Sequence, residues 1–136
     1  MWIGCFRANK KGAPRALLVE DEALVAMVAE EFLADLGFEP VSTRNAAEAM
    51  EIVEGGGPLA VAVVDVGLPD QRGDELARRL RALRPLMPIL MASGYDQGDL
   101  IAQFKDDDGV GVLSKPYTEA DLARALEAVG VKLDAA

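Results

Sequence analysis

Polar side chains stand where short apolar runs end. Glu20 and Asp21 follow Leu17-Leu18-Val19, Asp65 follows Val61-Ala62-Val63-Val64, Ser93 follows Ile89-Leu90-Met91-Ala92, and Lys115 comes just after Val112-Leu113. Gathered into one place, three carboxylates would repel one another, and some would take up protons unless a cation offset the charge. Hard oxygen donors of this kind suit Mg²⁺, which keeps several waters and takes one or two carboxylates plus a phosphoryl oxygen. An ionised aspartate in such a setting can attack a phosphoryl group and hold it as an acyl phosphate. Mg²⁺ and a cationic side chain on the equatorial oxygens favour the in-line transition state. Lys115 supplies that cation and Ser93 a hydroxyl donor.

These residues converge only if the elements before them lie side by side. After Pro14 the chain alternates apolar runs with amphipathic stretches, the pattern of repeated strand-helix units in a parallel sheet. Strands are predicted at Arg15–Glu20, Glu39–Thr43, Leu59–Asp65, Pro88–Ser93 and Val110–Ser114. The first helix starts just after Asp21, with an inward stripe of Leu24, Val28, Phe32 and Leu36 and a stop at Gly37. The second starts at Asn45 with Glu48 as capping-box partner, and turns Ala49, Met50 and Val53 inward. The third covers Asp74 to Arg84 and buries Leu76, Leu80 and Leu83. The fourth, about Gln97 to Asp106, rests on Leu100, Ile101 and Phe104 alone. The fifth starts at Thr118 with Asp121 as box partner and buries Leu122, Ala125, Leu126 and Val129. Right-handed crossovers make five such units a doubly wound α/β sheet with helices on both faces and a site at the carboxyl ends of the strands.

Four segments then carry a resemblance: Leu17 to Glu22, Val63 to Pro69, Pro88 to Tyr95 and Leu113 to Tyr117. In this order, and with gaps of 44, 28 and 22 residues between Asp21, Asp65, Ser93 and Lys115, residues 15–130 resemble the receiver domain of two-component response regulators. The resemblance implies a flavodoxin-like (βα)5 fold with strand order 2-1-3-4-5. It implies that Asp65 is the phosphoacceptor and that Asp21, Asp65 and the backbone carbonyl of Gly67 hold Mg²⁺, which Glu20 tunes through water. It casts Ser93 as the switch hydroxyl and Lys115 as the phosphate-contacting lysine, with a cis Lys115-Pro116 bond. The run Pro88 to Tyr95 is similar to an Ala-Ser/Thr-Gly-Tyr variant found in a receiver subgroup, often single-domain, that works with atypical sensor kinases. With that variant run, the chain departs from the commonest pattern in three places: Val112 stands where the family usually has Tyr or Phe, and Gly67 leaves no side chain two residues after the acceptor. The segment Gly94 to Gly109 is expected to be mobile and to respond.

Composition narrows the partners. The chain has 136 residues, enough for one ordinary domain: a leader over 1–14, a receiver unit over 15–131 and a tail over 132–136. A formal charge of −9 repels nucleic acid and anionic lipid. No apolar run approaches the roughly 20 residues of a membrane span, and the single Cys5 fits a cytoplasmic protein. There is no histidine, so a phosphohistidine donor must sit on another protein, a sensor histidine kinase or histidine phosphotransfer protein. Output is then contact with a downstream protein or onward relay, with Leu24, Val25 and Val28 of the first helix offering apolar contact. Two other readings compete, a Mg²⁺-dependent aspartyl-phosphate hydrolase and a receiver-like binding module that is never phosphorylated. Gly67 in place of a second aspartate opposes the first, and the intact set of Asp21, Asp65, Ser93 and Lys115 opposes the second. Plainer roles also exist: Asp21 as a helix cap, Ser93 as a turn residue, Lys115 as a solvated loop charge, and Trp2 and Phe6 as anchors of a docked leader. Arg78, Arg79, Arg81 and Arg84 read as a solvated helix face, and Asp106 to Asp108 as a hydrated turn.

Overall fold

The computed structural model describes residues 12–94 and 97–133. The expectations for Trp2, Phe6 and most of the leader, for Tyr95, and for the end of the tail lie outside them. Five parallel strands form one sheet in the order β2-β1-β3-β4-β5, where β1 is Arg15–Val19, β2 Glu39–Thr43, β3 Val61–Asp65, β4 Ile89–Ser93 and β5 Val110–Ser114. The helices between and after them are α1 (Ala23–Asp35), α2 (Ala46–Glu54), α3 (Gly73–Leu83), α4 (Gly98–Gln103) and α5 (Glu119–Ala128). This is the doubly wound flavodoxin-like fold and strand order that the sequence predicts.

Side chains alternate across each strand, so the sheet has two cores. Leu17 and Val19 of β1 and Ala62 and Val64 of β3 pack on one face with Ala49, Met50 and Val53 of α2, Leu76 and Leu80 of α3 and Leu100 of α4. Leu18 of β1 and Val61 and Val63 of β3 face the other way, against Ala29 and Leu33 of α1 and Leu122 and Leu126 of α5. Strands covered on both faces have no solvated side to encode, and β3 and β4 are buried throughout.

Caps fix the helix ends. Asn45 accepts from the Glu48 backbone N–H at 2.8 Å. Glu48 reaches one residue further back than a simple capping box and accepts from the Arg44 N–H at 2.9 Å. Thr118 and Asp121 form a reciprocal box at the start of α5. In α1 the N-cap is Glu22, with no side-chain cap.

Several packing expectations need correction. Leu24 and Val28 are not inward: they are 77% and 49% exposed, and Ala29 and Leu33 are the buried residues of α1. The segment ALVAMVAEEFLAD is apolar around most of its first two turns, so spacing alone cannot choose the face, and docking on β1 and β2 does. Leu83 is half exposed at the last turn of α3. The arginines of α3 are not all solvated. Arg81 donates to both Asp107 carboxylate oxygens, at 2.8 and 2.7 Å, and to the Met87 carbonyl at 2.8 Å. Arg84 donates to the carbonyls of Gly57 and Val53. Asp107 is therefore the acid of an ion pair that ties its turn to α3. The fourth helix is shorter than expected, and Ile101 lies outside its buried side.

Candidate phosphoryl and metal site

Register builds the site. In the β1–β3 pair Val19 lies opposite Val64, so the next residues, Glu20 and Asp65, emerge side by side at the carboxyl edge. In the β3–β4 pair Asp65 lies opposite Ala92, and Ser93 follows. Ser93 lies opposite Ser114, and the Lys115 N–H donates to the Ser93 carbonyl at 2.9 Å. Four non-contiguous positions thus meet on one rim, around a cleft of about 590 Å³ that Asp21, Asp65, Gly67, Ser93 and Lys115 line.

Glu20, Asp65 and Ser93 are buried, while Asp21 is exposed at the mouth. The Lys115 ammonium donates to Glu20 Oε1 at 3.1 Å and to Asp65 Oδ1 at 3.2 Å. The other Glu20 oxygen accepts from the Glu22 N–H at 3.2 Å. Glu20, Asp21 and Asp65 each offer an oxygen within 4.8 Å of the others. Burial is the main force holding the Glu20 carboxyl above its ordinary range, and the neighbouring Asp65 charge adds to it against the Glu22 N–H and Lys115. Burial pulls the Lys115 ammonium down, but the bond to Glu20 and the Asp65 charge carry it above its usual value. One ammonium thus serves two buried carboxylates with a third beside them. Such a set of hard oxygens with uncompensated charge fits a divalent cation such as Mg²⁺.

The Lys115-Pro116 bond is cis. Beside the cleft, sharing Lys115 with it, is an almost wholly apolar groove of about 460 Å³ lined by Leu24, Val25, Val28, Phe32, Pro116 and Tyr117. The Phe32 and Tyr117 rings lie 6.2 Å apart and tilted by 56°. Burial, with the Glu20 charge behind it, pushes the Tyr117 hydroxyl up.

Three neighbours of the site escaped the sequence reading. Arg72 lines the cleft. Gly73 opens α3 against the backbone of Asp65: a Cβ there would lie 2.3 Å from the Asp65 carbonyl oxygen and 2.6 Å from Val66 Cα. Asp74 is a buried carboxylate in the first turn of α3, paired with Arg72 at 3.0 Å and accepting from Gln103 of α4 at 3.2 Å. The only signal was the Arg-Gly-Asp run after Pro69, which reads as an ordinary turn until α4 is in place.

The profile of the response regulator receiver domain matches residues 16–127. The transcriptional regulatory protein PdtaR of Mycobacterium tuberculosis is 33% identical over 83% of this chain and 55% of its own length. The sensor kinase CckA of Brucella abortus is 32% identical over 90% of this chain and 13% of its own. The chain therefore spans between about an eighth and about half of these relatives. Among solved structures, a CheY-like receiver domain protein from Methanospirillum hungatei superposes with a TM-score of 0.76 at 26% identity, covering 85% of this chain and 92% of that one. The chemotaxis protein CheY4 of Vibrio cholerae shares the fold with a TM-score of 0.77 at 23% identity, over 87% and 99%. No helix of the described residues is long and apolar enough to cross a membrane. With the strand order, the acidic rim and a family match over most of its length, this chain belongs to the response regulator receiver domains of two-component systems.

Proposed function

We propose that residues 15–131 form a phosphoacceptor unit that takes a phosphoryl group onto Asp65 from a phosphohistidine of a sensor histidine kinase or a histidine phosphotransfer protein. The observation that carries this reading is the shared rim of Asp65, Glu20 and Lys115, with Asp21 at the mouth. An Asp65 carboxylate oxygen forms the new P–O bond as the P–N bond breaks, and the departing imidazole nitrogen keeps the electron pair. Lys115, already between Glu20 and Asp65, meets the charge that develops on the phosphoryl oxygens, and the Ser93 hydroxyl donates to one of them. Asp21, Asp65 and the Gly67 carbonyl would hold Mg²⁺, with Glu20 acting through water. Bound there, Mg²⁺ supplies charge compensation for both the carboxylates and the transferring group. The apolar groove along Leu24, Val25 and Val28 offers the histidine-bearing protein a face next to the acceptor. Output, by contact with a further protein or by onward relay in the cytoplasm, is part of the same reading.

The test is incubation with Mg²⁺ and acetyl phosphate, followed by intact mass measurement. One added phosphoryl group on the wild type and none on Asp65→Asn is the expected result. Labelling that survives Asp65→Asn removes the assignment, and steady release of many phosphates per minute would identify a hydrolase instead.

A further inference from the structure

The phosphoacceptor reading leaves the charge at the cleft only partly answered. A phosphoryl group on Asp65 would add negative charge beside Glu20 and Asp21, and Lys115 is already divided between two carboxylates. Among the described residues lining the cleft, Arg72 is the other cation. Its side chain is 63% exposed, and its guanidinium is tethered to Asp74 by Nε at 3.0 Å and Nη2 at 3.4 Å. It precedes Gly73, whose backbone abuts the Asp65 carbonyl, so Arg72 is anchored within a residue of the acceptor strand. A planar guanidinium with five donors suits phosphoryl oxygens, and the Arg72 side chain is exposed enough to turn toward them while Asp74 keeps its other donors.

Asp74 links this arginine to the opposite element. Its carboxylate is buried and receives the Glu75 N–H of its own helix at 3.1 Å, Arg72, and the Gln103 side-chain amide of α4 at 3.2 Å. Gln103 is also joined to Arg78 of α3. Burial raises the Asp74 carboxyl, but Arg72 and Gln103 outweigh it and hold the group below its ordinary range. A buried carboxylate that gives up one side-chain donor depends more on the other. Position 112 on β5 is Val112, and the Arg72–Asp74–Gln103 chain is a polar route from the cleft to α4.

We propose that Arg72 is a second phosphate-contacting cation of this site, exchanged between Asp74 and the phosphoryl group on Asp65, and that its departure tightens the Asp74–Gln103 bond and draws α4 onto α3. The inference rests on the phosphoacceptor reading and adds to it the residue that senses the phosphoryl group and the helix that answers.

The test labels the full chain with acetyl phosphate and Mg²⁺, the Asp65 oxygen forming the P–O bond as acetate leaves with the electron pair of the old one. Arg72→Gln should raise the half-saturating concentration of acetyl phosphate about tenfold, the share of one charge-assisted hydrogen bond, and Arg72→Lys should recover part of that loss. Amide exchange across Gly98–Gln103 should slow on labelling of the wild type, and both Arg72→Gln and Gln103→Ala should abolish the slowing. Gln103→Ala should still take up one phosphoryl group, with a half-saturation raised rather than lowered, because Asp74 then holds Arg72 more tightly. If the wild type takes up no phosphoryl group, the phosphoacceptor reading fails and the inference falls with it. If the wild type is labelled but Arg72→Gln shows unchanged half-saturation and an unchanged α4 response, the inference alone is overturned.

Discussion

Two cations in this molecule are equally buried and do opposite things. The Lys115 and Arg81 side chains are 19% and 20% exposed. Arg81 meets one carboxylate, Asp107, with a two-pronged contact, spends a further donor on the Met87 carbonyl, and so ties the turn before β5 to α3. Charge and hydrogen bonds balance there, and the Arg81 bond holds the Asp107 carboxyl below its usual range. Lys115 meets two carboxylates with a third close by, and one of them, Glu20, is held above its ordinary range by burial and by Asp65. The first arrangement is saturated and structural. The second carries surplus negative charge, the setting that a divalent cation offsets.

That contrast can be broken in order of effect. Asp65→Asn should abolish uptake of the phosphoryl group, a loss of at least about a hundredfold in rate; intact mass measurement after acetyl phosphate checks it. Arg81→Ala should unfold the chain more easily by about 2 kcal/mol, because it strands a partly buried carboxylate and the Met87 carbonyl. Urea denaturation reads that loss, and an unchanged midpoint would show that the pair is ornamental. Mg²⁺ should stabilise the wild type by about 1.4 kcal/mol at a concentration about ten times its Kd, with the melting shift much reduced in Asp21→Asn and unchanged in Arg81→Ala. Without divalent ions, Asp65→Asn should raise the melting temperature, since it removes repulsion from Glu20 and leaves the Glu20–Lys115 bond in place. A neutralised residue at the rim thus stabilises where one at the clamp destabilises, and a fall in melting temperature for Asp65→Asn would contradict the surplus-charge account.

The smallest expected effect is a pH dependence. The folded Asp107 carboxyl titrates below its ordinary value of 3.8. Its contribution is therefore complete above the unfolded value and disappears as pH falls through the folded one. Arg81→Ala should flatten the acid limb of the stability curve below about pH 4, by less than about 1 kcal/mol. Denaturation midpoints between neutral and acid pH compare the two proteins, and parallel curves would oppose the linkage.

The two regions were unequally legible. Glu20, Asp65 and Ser93 each close a run of apolar residues, with Asp21 next to the first and Lys115 two residues past Leu113, and a polar group at the end of a covered strand marks its carboxyl edge. The Thr118–Asp121 cap was equally plain because both partners lie within one helical turn. Arg81 and Asp107 are 26 residues apart, and neither looks different from any other surface charge in its own segment. Asp74 gave the same trouble: it reads as a first-turn acid stabilising α3 until Gln103 is seen to cover it. Leu24 and Val28 failed for a different reason, since a helix apolar on most sides carries no preferred stripe.

From the order of residues alone come the five strand-helix units, their parallel arrangement and the chemistry available at their ends, because these follow from local periodicity and a preferred crossover hand. Which face of α1 is left bare beside the cleft, which arginine becomes a structural clamp and which stands at the rim, and which carboxylates share one ammonium were decided only by packing. Those outcomes depend on distances between segments dozens of residues apart, and a few ångströms there separate a neutralised charge from one that still needs a partner.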